Sequence, residues 1–227
     1  MEDLSNWTPR ERPARSPLEG RYVRLEPMDI ACHGDGLFAA VATEDRDQRF
    51  RWLYDEAPQD WAAFQPWLDK AAASTDPFYF TVIDRQSGRI AGRQSFMRID
   101  TANGVIEIGN ILWNDPVARK PAATEALFLF ARHAFDDLGY RRFEWKCNAE
   151  NHPSRQAALR FGFDFEGIFR QHLVVKGRNR DTAWFAMIDK DWPTIRRAFE
   201  EWLDPQNFDS EGRQNRRLGE IRASLGN

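Results

Sequence analysis

The sequence predicts an α+β fold: a mixed, mostly antiparallel sheet flanked by helices, with one splayed parallel strand pair. Three observations predict it. Residues 78–84, 90–99 and 105–113 alternate in polarity and are joined by short turns at Ser87-Gly88 and Asn103-Gly104, the pattern of an antiparallel meander. The next segment, 121–138, places Ala123, Leu127, Phe130, Ala131, Ala134, Phe135 and Leu138 at steps of three and four, the apolar face of a helix closed by Gly139. Phe143, Trp145 and Cys147 then alternate with Glu144, Lys146 and Asn148, a strand that the crossover sets parallel to 105–113.

The other elements follow in chain order. Residues 1–18 are polar and rich in Pro and Arg, an arm that orders on contact or stays mobile. Residues 21–26 alternate as a strand, and Pro27 and Asp29 open a helix to about Val41. Residues 43–58 carry Phe50, Trp52 and Tyr54 without clean periodicity, which predicts an irregular loop or a short helix. A helix over about 60–74 follows, with Pro66 either kinking it or marking its start. Residues 151–161 read as a short helix closed by Gly162, and strands 168–175 and 182–188 form a hairpin about Lys176-Gly177-Arg178-Asn179. Residues 191–203 make a last helix, and beyond Pro205 the chain is polar and mixed in charge. The chain thus divides into an arm (1–18), one sheet domain (19–190) and a C-terminal helix with a tail (191–227).

Composition narrows the function. An apolar share of 42%, with 9 Trp and 17 Phe, supports a real core and leaves aromatic surface for a groove. A net charge of -3 with 30% charged residues gives no bulk attraction to nucleic acid or anionic membrane. No apolar run approaches the roughly 20 residues of a membrane span, and the first residues lack the apolar core of a signal peptide. Cys32 and Cys147 are far apart in sequence, which predicts reduced thiols and a cytoplasmic setting. His33, His133, His152 and His172 show no ligand spacing, so no metal is expected. Monomer and homodimer both stay open.

The stretch 104–148 carries the chemistry. A helix that begins directly after a strand aims unpaired N–H groups and its positive dipole end beyond the strand, an arrangement that favours a phosphate. The turn into this helix is Asn114-Asp115-Pro116-Val117-Ala118-Arg119-Lys120-Pro121. Around it stand Glu107-Ile108-Gly109, Thr124-Glu125-Ala126-Leu127 and Leu138-Gly139-Tyr140, then Asn151-x-x-Ser154, Arg160-Phe161-Gly162-Phe163 and Glu166-Gly167. In order and spacing, these motifs over roughly 18–191 resemble the GCN5-related N-acetyltransferases (GNAT), especially the branch of the ribosomal-protein N-terminal acetyltransferases. The resemblance implies a GNAT domain over 19–190 that transfers an acetyl group from acetyl-CoA to a primary amine by direct attack in a ternary complex. A protein or peptide N-terminus is the acceptor that the branch implies; a small-molecule amine is the rival.

One departure bears on this. The family's pyrophosphate turn reads Gln/Arg-x-x-Gly-x-Gly/Ala, where this chain has Ala118-Arg119-Lys120-Pro121-Ala122-Ala123. Proline in place of the central glycine removes an N–H, although it suits a first helical turn, and Arg119 and Lys120 offer direct charge instead. Two outcomes are open. Either Arg119, Lys120, Pro121, Ala122, Ala123 and Thr124 form a modified coenzyme cradle, or the turn is degenerate and the chain is a non-catalytic coenzyme-A-binding or interaction module.

Acetyl transfer to an amine must free the nitrogen lone pair, stabilise an oxyanion and protonate a thiolate. Glu107, in mid-strand, is a candidate base or water-mediated relay; the alternative is a strand carboxylate paired with Arg93 or Arg98. His172 is the rival base by virtue of its ordinary pKa of about 6.5, or a structural strand histidine. The resemblance implies that Ser154 serves the thiolate, that Asn151 binds the pantetheine arm, and that the backbone from Asn110 through Ile111, Leu112 and Trp113 supplies oxyanion donors on a bulged strand. Asn151 or Ser154 also reads as a helix cap. Trp52 and Tyr54 are the candidate acceptor pocket, whereas Trp61 and Trp67 read as packing. The hairpin tip 176–180 reads as solvated charge in preference to a contact for an acidic substrate, and Arg141-Arg142 as a solvated strand start in preference to a contact for the coenzyme's 3′-phosphate.

Overall fold

The structure, a computed structural model, describes residues 3–114 and 117–226. Asp115 and Pro116 of the turn before the crossover helix lie outside the described residues. The strands are β1 (Leu18–Glu19), β2 (Val23–Pro27), β3 (Phe78–Asp84), β4 (Ile90–Asp100), β5 (Val105–Trp113), β6 (Arg142–Asn148), β7 (Asp164–Val175) and β8 (Arg178–Ile188). They form one sheet in the order β1-β2-β3-β4-β5-β6-β8-β7. Neighbours run antiparallel except β5 and β6, the parallel pair that the crossover demanded.

Parallel pairing runs only from Val105↔Arg142 to Ile108↔Trp145, and both strands continue past it. A bulge drives them apart. Arg93 pairs with Leu112 and Ser95 with Gly109, so Asn110 and Ile111 together oppose Gln94. Asn110 takes φ 53°, a conformation that asparagine tolerates better than most side chains.

Helices α1 (Ile30–Val41), α2 (Arg46–Phe50) and α3 (Trp61–Ala73) pack on one face of the sheet over Met28, Leu37, Leu68 and Leu112. The Asp29 and Asp60 carboxylates cap α1 and α3, so Pro66 lies inside α3 and does not mark its start. On the other face lie α4 (Pro121–Arg132), α5 (His152–Phe161), α6 (Trp192–Leu203) and α7 (Leu218–Leu225). A single wide turn over His133–Asp137 carries α4 to Gly139, whose φ is 68°. The expected one-sided helix is buried from Ala122 to Ala131, because Trp192 and Phe199 of α6 stack on Phe128 from behind. Glu125, enclosed there, accepts the N–H groups of Arg21, Tyr22 and Val23 at 2.7, 2.6 and 2.8 Å and ties α4 to β2.

One expectation changes and two open points are settled. The β7–β8 turn has two residues, Lys176 and Gly177, both at positive φ, so β8 starts earlier than predicted, and β7 begins earlier as well, at Asp164. The N-terminal arm is a strap: the Trp7 indole donates to the Ala102 carbonyl, the Arg10 Nε to that of Gly139, and the Tyr140 hydroxyl to that of Glu11. The polar tail is also built in, since Leu218 and Ile221 of α7 enter the main core. No helix among the described residues is long and apolar enough to cross a membrane.

Candidate active site

Where β5 and β6 diverge, a slot of about 160 Å³ opens. Glu107, Asn110 and Ile111 of β5 line it, with Lys146 and Cys147 of β6, Asn151 and Ser154 at the start of α5, Trp52 and Tyr54 from the segment after α2, and Arg180 of β8. The loop bearing Trp52 and Tyr54 is pinned on both sides. Buried Arg93 pairs with Asp55 at 2.7 Å under the Trp67 ring, and Lys176 reaches the Phe50 carbonyl at 3.0 Å.

Glu107 is buried, and its two oxygens are already engaged. Arg98 Nη1 lies 2.8 Å from each, and Lys146 Nζ lies 2.9 Å from Oε2. A carboxylate has about four acceptor positions, so these three contacts leave one, on Oε1. Lys146 is itself buried between Glu107, Glu144 at 2.6 Å and the Trp184 ring at 3.7 Å. Burial pushes the Glu107 carboxyl above its ordinary range, and the charges of Lys146 and Arg98 oppose that rise. Arg93, the other partner considered from the sequence, belongs to Asp55 instead.

The start of α5 separates capping from chemistry. Asn151 Oδ1 accepts the Ser154 backbone N–H at 3.2 Å, so Asn151 is the cap and its amide NH₂ is the group left to offer. Ser154 Oγ accepts the Trp145 indole N–H at 3.0 Å, which leaves its own O–H as a donor into the slot.

His172 is placed differently. A bulge between Phe169 and Leu173 sets it beside Phe169 and Trp184, with Nδ1 3.0 Å from Thr182 Oγ1, and it does not line the slot. Desolvation, then the charges of Arg98, Arg180 and Lys146, hold its imidazole below the ordinary value. Leu112 also turns away: its side chain joins the core under α1.

The α4 end is a basic cleft of about 1010 Å³. Trp113, Arg119, Lys120, Pro121, Ala123 and Thr124 form one side, and Arg160, Trp202, Phe208, Arg213 and Arg217 help to close the other. Pro121 stands at the first helical position, and among the described residues no side chain caps the helix start. Arg160 donates to Thr124 Oγ1 at 3.1 Å, with its guanidinium over the Trp202 ring. Trp113 and Arg119 border both this cleft and a groove of about 1340 Å³, while Trp52 and Asn151 border both that groove and the slot. The three spaces therefore adjoin one another from the basic cleft to the slot at Glu107.

Arg49, Lys146, Arg160, Arg213 and Arg217 are site-lining cations that sequence reasoning missed, while Arg180 of the hairpin-tip segment 176–180 also lines the slot. For Arg213 and Arg217, the basic run Arg213-Gln214-Asn215-Arg216-Arg217 was the available signal. Arg142, by contrast, pairs with Glu144 and Glu166 at the far end of β6.

A splayed parallel strand pair feeding an uncapped helix start, with a buried carboxylate in the fork, is the architecture of an acyltransferase. Residues 23–164 match the family model described as "Acetyltransferase (GNAT) domain", and the chain belongs to that family. A crystal structure of a GCN5-related N-acetyltransferase from Brucella melitensis superposes with a TM-score of 0.96 at 61% identity, covering 97% of this chain and 100% of that one. An uncharacterized N-acetyltransferase, p20, of Bacillus licheniformis is 30% identical over 50% of this chain and 63% of its own length. The ribosomal-protein-serine acetyltransferase of Escherichia coli (strain K12) is 33% identical over 44% of this chain and 55% of its own length. The chain thus spans less than two thirds of the length of these two relatives.

Proposed function

We propose that the protein transfers an acetyl group from acetyl-CoA to a primary amine, by direct attack within a ternary complex. The observation that carries this reading is the succession of adjoining spaces from the basic cleft at α4, past Trp113 and Asn151, to the slot holding Glu107 and Ser154. The cleft suits the coenzyme's phosphates. Arg119, Lys120, Arg160, Arg213 and Arg217 face Glu220 there, so direct charge replaces the attraction that the absent glycines would have provided. The aromatic wall of Trp202 and Phe208 suits a purine. This basic lining favours a working cradle over a degenerate turn.

In the slot each residue has a task. Glu107, through the free position on Oε1, takes the amine proton directly or through one water. The Ser154 hydroxyl donates to the departing sulfur, with the Trp145 N–H sharpening its polarity from behind. The Asn151 amide holds the pantetheine arm. The backbone at Asn110 and Ile111, displaced from both neighbouring ladders by the bulge, supplies the oxyanion donors. His172 tunes the field of the slot from outside it. Trp52 and Tyr54 wall the acceptor, and residues 19–190 supply the sheet of the acetyltransferase domain, with α6 and α7 completing its core and cleft.

A protein or peptide N-terminus is the preferred acceptor, supported by the E. coli relative's activity on a ribosomal protein. An α-amine, with a pKa of about 7.7–8.0, also asks less of a base already engaged by two cations than a lysine amine would. The experiment is coenzyme A release with a panel of peptide N-termini and small amines. Turnover on peptides above that on small amines supports the reading; turnover confined to small amines overturns the acceptor class, and no acceptor-dependent release overturns the reaction.

A further inference from the structure

Arg180 has no counter-charge. It is buried to 6% exposure, yet among the described residues no carboxylate forms an ion pair with it. The other buried cations at this end of the sheet are answered: Lys146 by Glu107 and Glu144, and Arg93 by Asp55. A guanidinium withdrawn from water without an anion is costly, and such a group is retained where something else supplies the anion.

The surroundings hold one edge of the guanidinium and leave another for the slot. Arg180 Nε donates to Thr182 Oγ1 at 3.3 Å, and the Tyr54 ring covers its face at 4.8 Å. The same hydroxyl oxygen lies 3.0 Å from His172 Nδ1. That leaves the Nη1 and Nη2 edge for the slot that Arg180 lines, and its paired N–H groups match a carboxylate. Arg180 and Glu107 line the same slot of about 160 Å³, so one short acceptor segment meets both.

We infer that the acceptor carries a carboxylate within a few bonds of its amine, and that Arg180 binds it. This rests on the amine-acetylation reading of the slot. The carboxylate has two sources, an acidic first side chain on a peptide or the α-carboxylate of a free amino acid, and one experiment separates them.

The full-length protein with coenzyme A is titrated with a peptide beginning in Asp against its Asn counterpart, and with alanine against alaninamide. The wild type is expected to bind the carboxylate member of one pair at least about tenfold more tightly, which charged hydrogen bonds readily supply. A preference in the first pair assigns the side chain; in the second, the α-carboxylate. Arg180→Gln removes the preference and Arg180→Lys keeps part of it, while coenzyme A affinity stays constant in both and shows the fold intact. A wild type that distinguishes neither carboxylate from its amide overturns the inference, as does an undiminished preference in Arg180→Gln. Failure of acetylation itself would show separately, as absence of thiol release beside an intact carboxylate preference.

Discussion

Glu107→Gln is the perturbation on which the proposed chemistry turns. It keeps the shape of the side chain but removes the charge that Arg98 meets at 2.8 Å and Lys146 at 2.9 Å, and with it the ability to take up a proton. Loss of a general base costs about 10²–10⁴ in rate, so kcat/KM is expected to fall at least about 100-fold at pH 7, or roughly 2.7 kcal/mol of transition-state stabilisation. The deficit has a pH signature. An α-amine with a pKa of about 7.7–8.0 is mostly protonated at pH 7 and mostly neutral by pH 9, so the variant regains rate as the amine sheds its own proton. Burial raises the Glu107 carboxyl, so the wild-type rate falls on the acid side at a pH above the ordinary carboxylate range, and the variant lacks that limb. The assay is coenzyme A release from pH 5 to 9, with acetyl-CoA affinity measured in parallel. A variant within about threefold of wild type at pH 7, with unchanged affinity, would refute the assignment and make Glu107 a structural partner of Lys146 and Arg98.

Four further outcomes follow. Ser154→Ala is expected to lower kcat about 10–100-fold. The helix cap survives in that variant, because Asn151 bonds the Ser154 backbone and not its hydroxyl; a large fall in Tm with kcat intact would contradict the role. Arg119→Ala with Lys120→Ala raises the KM for acetyl-CoA at least about tenfold and flattens its salt dependence; an unchanged KM would move the phosphates elsewhere. Glu125→Ala strips the acceptor of three backbone N–H groups and costs about 3–5 kcal/mol, a Tm shift of roughly 6–20 °C in a chain of this size; a loss below about 1 kcal/mol refutes the tie between α4 and β2. His172 has a depressed pKa when folded, so below about pH 6.5 the unfolded chain takes up the proton first and folded stability declines. Denaturant midpoints of His172→Gln should therefore gain on wild type as pH falls from 7 to 5; parallel curves would contradict this.

Local signals were legible where local chemistry decides. Asp29 as a cap and Gly139 and Gly162 as helix stops needed only their neighbours, and the α4 crossover with its parallel strand followed from periodicity. Glu107 as a strand carboxylate beside Arg98 was also within reach, since the two strands form a hairpin. Lys146 was not. It sits among the polar positions of an alternating strand and is buried only because the β7–β8 hairpin lays Trp184 over it. The direction of the Leu112 side chain was hidden for a similar reason. The bulge at Asn110 depends on which residues β4 sets opposite, and that shift sends Ile111 to the slot and Leu112 to the core. The tail gave no structural signal beyond its polar, mixed charge because α7 buries little beyond Leu218 and Ile221, and only the folded chain brings Arg213 and Arg217 to the cleft.

The central claim is that a turn bearing Arg119-Lys120-Pro121 where glycines are usual still holds the coenzyme. Isothermal titration of the full chain with acetyl-CoA tests it most directly. Saturable one-site binding is expected, with Kd inside the roughly 1 μM–1 mM range of ordinary KM values, weakened by salt and by loss of Arg119 and Lys120. No binding heat at millimolar acetyl-CoA would contradict the account.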